Sequence, residues 1–239
     1  MQLDAFTEEN VESVINNLFS KNENFISIED AYQHLAQSMC ESFQNNQKQS
    51  DLILSRVYHS FDFQLLPSSL QQVAKQVWKD DAADNNKFIA LMGTYGDEPA
   101  WQDRTKSEGH KVILLSHESL TKIPMVARLL QQIGFDLGTL LGEKEKGIEF
   151  EGISGTFGVF YVSPALKSPY IPAQNFVEKY AVKSVLGTGV MLPQGDISIY
   201  IGFSRVDVTN EVAANLASLM SLFWQRAFSL LEERGMFSK

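Results

Sequence analysis

A chain of 239 residues with 44% hydrophobic and 21% charged side chains can bury a sizeable core, and this balance is that of a globular protein, not a disordered one. A formal charge of −9, from 29 acids against 20 scattered bases, argues against nucleic-acid partners, whose phosphates need clustered Lys and Arg. The single cysteine, Cys40, excludes an intrachain disulfide and a cysteine-built zinc site, while an acidic start and no apolar run approaching about 18 residues point away from a leader or membrane and toward the cytoplasm.

Residues 7–19 set Val11, Val14, Ile15, Leu18 and Phe19 on one helical face behind a Thr7 cap, with Glu8 and Glu9 at the positive end of the dipole. The opposite face is polar, so this leading helix, a unit of residues 1–24, must dock on something. Residues 22–24 break the pattern. Ser27-x-x-Asp30, a variant capping box, then opens a second helix with Ala31, Leu35, Ala36 or Met39, and Phe43 inward. Cys40 falls in that stripe and is assigned to the core as a buried thiol.

After a polar loop at 44–50, residues 52–58 alternate as a first strand, with Leu54, Arg56 and Tyr58 on one face and Ile53, Ser55 and Val57 on the other. An inward Arg56 suits an anionic ligand; an edge arginine with its stem along the sheet fits the pattern equally well. Pro67 opens a third helix to about Trp78 with Leu70, Val73, Ala74 and Val77 inward, residues 79–86 form a charged connection, and residues 88–92 form the next strand.

The most unusual wording follows. Gly93-Thr-Tyr-Gly-Asp-Glu-Pro-Ala-Trp-Gln-Asp-Arg104 reads as a loop leading through Gly109, His110 and Lys111 to an apolar strand at 112–115. A loop so rich in Gly, acids, Trp and Arg is where binding residues gather. Asp97, Glu98 and Asp103 lack the alternate spacing of a calcium loop, so they are expected as turn and cap residues or as partners of Arg104 and Lys106, with no metal.

Ser116 or Ser119 can cap one helix carrying Met125, Val126, Leu129, Leu130 and Ile133, with Pro124 near its first turn and Gly134 at its end. A short strand at 137–141, a charged tip at 143–147, a strand at 156–162 and a short helix from Pro172 to Tyr180 follow. Lys183-Ser-Val-Leu-Gly enters a strand, Leu192-Pro-Gln-Gly195 turns, and Ile197, Ile199, Ile201 and Phe203 alternate against Ser198, Tyr200, Gly202 and Ser204. The first of these faces is core and the second small and polar. Thr209 or Asn210 then starts a long helix to about Arg234 that should cover the sheet.

In this wording residues 180–228 resemble the C-terminal half of a GAF domain, the small-molecule sensory module of signalling proteins, and in element order the resemblance reaches from 27 to 230. It implies an α+β fold, GAF-like (PAS/profilin-like), with an antiparallel sheet flanked by helices, here a single domain over 25–239. It also implies a non-enzymatic sensor or regulator, of bacterial type. The cysteines of the sulfoxide-reducing branch, the well-placed cysteine of the bilin-binding branch and the Asn-Lys-x-n-Phe signature of the cyclic-nucleotide branch are absent.

On this expectation a pocket lies over the small polar face of 197–204, lined by Arg56, Tyr58, Tyr95, Asp97, Trp101, Arg104, Phe160, Tyr170 and Tyr200. The ligand and any cofactor stay open, with haem on His59 or His110 as a subordinate version. No output segment follows, so a signal would pass to a separate signalling protein or through a homodimer of the terminal helices, which could equally fold back on their own sheet. Two other classes compete: a protein-interaction module with a filled pocket, and an enzyme needing Asp97, Glu98, Asp103, Arg104 and His110 to converge. The sequence holds no Gly-x-Ser-x-Gly elbow, no metal-type histidine spacing and no phosphate-binding glycine loop.

Overall fold

The computed structural model describes residues 1–20, 25–79, 86–132, 158–192, 195–231 and 235–237. Two helices lead, α1 at Glu8–Ser20 and α2 at Ile28–Ser42. Strand β1, Leu52–Asp62, is followed by α3, Ser68–Trp78, then by β2, Lys87–Gly96, and β3, Val112–Leu114. Helices α4, His117–Lys122, and α5, Pro124–Gln132, precede β4, Val159–Val162, and the short α6, Gln174–Lys179. The hairpin of β5, Ser184–Met191, and β6, Ile197–Ser204, leads into α7, Asn210–Leu231. Neighbouring strands all pair antiparallel, in the order β3-β2-β1-β6-β5-β4. This is the α+β arrangement that the sequence predicts, an antiparallel sheet flanked by helices.

Local chemistry sets the helix starts. Ser27 Oγ accepts from the Asp30 N–H at 3.0 Å while the Asp30 carboxylate accepts from the Ile26 N–H at 3.3 Å, which closes the expected box one residue early. Ser116 Oγ accepts from the Ser119 N–H at 3.2 Å to start α4, and Thr209 Oγ1 accepts from the Val212 N–H at 3.3 Å to start α7.

Helices cover both faces of the sheet, so the central β1 is buried from Leu52 to Phe61. On the first face α1, α2 and α7 bring Ile15, Tyr32, Leu35, Met39, Leu216 and Phe223 into one core with Val57 of β1, Met92 of β2, Leu186 of β5 and Tyr200 of β6. On the second face α4, α5 and α6 pack Leu120, Leu129, Leu130 and Val177 against Ile197, Ile199 and Ile201. The serines and glycine of β6 leave room for large side chains, and Tyr200 of the strand itself is buried there with Tyr32 and Phe223 from the helices. The polar face expected to carry a pocket is therefore packed.

Several expected boundaries move. Strand β2 runs on to Gly96, so residues 93–96 belong to the sheet and the loop begins at Asp97. Helix α2 presses on β2 there: a Cβ on Gly93 would stand 2.3 Å from the Tyr32 carbonyl oxygen, and Gln33 pairs its amide with Thr94, donating at 2.8 Å and accepting at 3.1 Å. Strand β1 slips in its pairing with β6 between Leu52 and Leu54, so Ile53 joins Tyr58 on the second face while Val57 stays on the first. The single helix expected over 116–133 is two, because Ile123 leaves the helical region (φ −131°, ψ 67°) ahead of Pro124.

Val77, assigned to the inward stripe of α3, is 58% exposed. Helix α6 starts at Gln174, not Pro172, because the Gln174 amide first closes the preceding turn, donating to the Ile171 carbonyl at 2.7 Å. The terminal helices fold back: α1 buries Val11, Val14, Ile15 and Leu18 in the core that α7 shares, and Arg226 donates to Asn16 Oδ1 at 2.8 Å. Of the two uses expected for these stripes, a homodimer or a return onto the chain's own sheet, they serve the second here. Gly195 takes the positive φ expected of the hairpin turn, +87°. The readings at 22–24, 80–85, 133–157 and 193–194 lie outside the described residues. Among the described residues no helix is long and apolar enough to cross a membrane.

Candidate functional site

A largely apolar cavity of ≈ 130 Å³ lies on the second face, between the sheet and the broken α4–α5 pair. Its floor is Ile199 and Ile201 of β6 with Ile89 of β2 and Ile113 of β3. Ile123, at the break between the two helices, forms the roof with Met125 and Val126, and Tyr170 to Ala173 make a side wall. Arg56, Tyr58, His110, Lys122 and Tyr170 supply nitrogen and oxygen atoms to this lining, and among the described residues it contains no Asp or Glu.

Arg56 is the central polar group. It is 8% exposed; Nη1 donates to Tyr58 Oη at 3.3 Å, Nη2 donates to Ser107 Oγ at 3.0 Å, and Nε is buried without a partner. Among the described residues no carboxylate stands within ion-pairing distance of it. A guanidinium held out of water by neutral hydroxyls alone costs on the order of several kcal/mol, which a bound anion would offset. His110 stands exposed at the mouth, in the left-handed region at φ +54° beside Gly109 at φ +69°. Local desolvation, and after it the charge of Arg56, lower its pKa below the ordinary histidine value.

The cavity brings together Arg56, Tyr58 and Tyr170 from the sequence-predicted set, with Phe160 beneath as a buried support, its ring 6.2 Å from that of Tyr170. The others lie elsewhere. Tyr200 is 1% exposed on the opposite face, where burial raises its phenol pKa and Ser55 Oγ donates to it at 3.3 Å. Tyr95 packs against that same core, and its carbonyl accepts from Cys40 Sγ at 3.7 Å. Trp101 stacks edge-on with Phe176 and Tyr180 at 5.8 and 4.8 Å. Asp97 pairs with Arg205 at 2.6 Å, Glu98 accepts from Tyr180 Oη at 2.9 Å, Asp103 accepts from Thr105 and Lys106, and Arg104 pairs with Glu29. The acidic loop is thus tied down pair by pair and does not converge on one point. Among the described residues no cluster of His, Cys, Asp or Glu could hold a metal ion.

The isoleucine lining was missed because its alternation reads as ordinary core; the visible signal was Arg56 set among those apolar residues. Ser198, His59 and Asp196 line up in the manner of a hydrolase triad, with Ser198 Oγ 2.8 Å from His59 Nδ1 and His59 Nε2 4.0 Å from Asp196. Ser198 and His59 are fully buried beneath Tyr32, so no substrate reaches the hydroxyl.

No family model matches the chain, and no curated protein matches it. Among solved structures it is similar to the GAF domain of an Acinetobacter phosphoenolpyruvate-protein phosphotransferase, at 12% identity over 92% of each chain with a TM-score of 0.45. A GAF domain from a phosphoenolpyruvate-protein phosphotransferase of Coxiella burnetii is 9% identical over 95% of this chain and 100% of that one, with a TM-score of 0.46. The phycocyanobilin-bound GAF domain of a cyanobacterial phytochrome is 13% identical over 94% and 97%, with a TM-score of 0.45. Such values carry no argument about ligand, activity or partner, and the architecture stands on the chain's own strand pairing.

Proposed function

We propose that this chain is a GAF-like regulatory module that binds a small molecule beneath α4 and α5, performs no chemistry on it, and passes its occupancy to a separate signalling protein. The observation that carries the reading is an apolar cavity with a buried, unbalanced cation on its wall, the combination expected of a small-molecule site. The wording of residues 180–228 supports the regulatory half. The separate partners taken by Asp97, Glu98 and Arg104 support a structural role for that loop over a catalytic one. At ≈ 130 Å³ the cavity is close to the ~150 Å³ site that admits benzene, which favours a ligand of that size and disfavours haem on His110. His59, the other haem candidate, is bonded into the opposite face.

The test is a native mass spectrum of the protein as purified, followed by thermal melts with a panel of ring-sized compounds. The reading expects a releasable bound mass, or a melting temperature that rises with the logarithm of ligand concentration. A clean mass and unmoved melts across the whole panel would sink it.

A further inference from the structure

Resting on that reading of the cavity, we infer that its ligand is a small apolar monocarboxylate, with its carboxylate on the Arg56 guanidinium and its hydrocarbon body against the isoleucines. Charge decides the headgroup. Arg56 is nine-tenths buried, its partners Tyr58 and Ser107 are neutral, and its Nε–H is unused. Lys122 reaches the rim, but its ammonium stands 2.6 Å from Glu118, and desolvation, then the charge of Arg56, disfavour the charged form of His110. Among the described residues the lining therefore holds one unbalanced positive charge, that of Arg56. A monoanion cancels it, whereas a dianion would leave a negative charge among isoleucines.

Geometry agrees with this assignment. A guanidinium presents a planar fork that matches the two oxygens of a carboxylate, and Nε is the free arm of that fork. Tyr58 Oη accepts from Nη1 at 3.3 Å, which leaves its own O–H to donate to the same carboxylate. Size sets the body. A space of ≈ 130 Å³ takes about six to nine non-hydrogen atoms, the size of a branched or aromatic acid.

The experiment is calorimetric titration of the full chain with benzoate and 3-methylbutanoate, against neutral benzyl alcohol and dianionic succinate. Wild type should bind benzoate at least about 10-fold more tightly than benzyl alcohol and should not bind succinate measurably. Arg56→Met should weaken benzoate by about 10- to 100-fold, the loss of charge-assisted hydrogen bonds, and leave benzyl alcohol within about two-fold. Without ligand, Arg56→Met should unfold at the same or higher urea, because a buried unpaired charge has been replaced by an apolar chain of similar length. If that variant does not fold, Arg56→Lys, which keeps the charge and loses the fork, should still weaken benzoate selectively.

Benzyl alcohol binding as tightly as benzoate, or either variant holding benzoate unchanged, overturns the carboxylate and leaves the cavity reading standing. Tighter succinate than benzoate overturns the monoanion. No binding by any of the four overturns both.

Discussion

Acid should destabilise this protein through His59, and His59→Gln should remove that part of the loss. His59 is 0% exposed; its Nδ1 lies 2.8 Å from Ser198 Oγ and 3.3 Å from Tyr32 Oη, and its Nε2 has no partner. Asp196 at 4.0 Å would favour the charged ring, but Lys87 sits 3.4 Å from that carboxylate and offsets it. Burial therefore dominates, followed by the charge of Lys87, and the pKa is lowered from 6.5 to about 3. Between those values the unfolded chain takes up a proton that the folded chain refuses, so stability falls as pH drops below 6.5 toward 3. At a slope of ~1.36 kcal/mol per pH unit, acidification to pH 4.5 costs about 2.7 kcal/mol from this one group. Urea midpoints of wild type and His59→Gln at pH 7.5, 6.5, 5.5 and 4.5, at a constant slope with denaturant, measure it, because the carboxylate contributions are common to both. The two curves should approach or cross by about that amount on acidification. Curves that stay parallel would refute the buried, neutral histidine.

Three further outcomes follow from the packing. Gly93→Ala should lose roughly 2–3 kcal/mol in urea melts, because its Cβ would meet the Tyr32 backbone oxygen at 2.3 Å and helix α2 would have to move; a neutral result would contradict that contact. Cys40, whose thiol pKa burial pushes up to about 12, should resist iodoacetamide at pH 8 in the folded protein and label fully in urea, read by intact mass. Ser27→Ala should cost ~1 kcal/mol through loss of the α2 cap, a shift in urea midpoint that Ser27→Asp restores.

The closing hairpin and α7 were legible in the sequence because each follows a clean period: two across Ile197 to Ser204, and three to four from Val212 to Phe228. The two faces of β6 were legible as well. Which face is filled was not, since that depends on how large the side chains arriving from other elements are, and Tyr32 and Phe223 come from helices distant in sequence. The face taken by Ile53 of β1 is not legible in sequence, because a slip in pairing reverses alternation without any mark in composition. Arg56, Tyr58 and Tyr170 could be found, being polar or aromatic residues beside apolar runs. The lining isoleucines could not be told from core, because whether an apolar side chain faces a cavity or a packed neighbour is set by elements distant in sequence, here α4, α5 and the 170–173 segment.

The most direct test of the account follows the isoleucine methyl groups by ¹³C NMR while the protein is titrated in parallel with benzyl alcohol and benzoate. Ring-current shifts confined to Ile89, Ile113, Ile123, Ile171, Ile199 and Ile201, with Ile15 and Ile28 of the opposite core unmoved, would place the ligand beneath α4 and α5. Shifts at Ile15 or Ile28, or no shift with either compound, would contradict the cavity as the site.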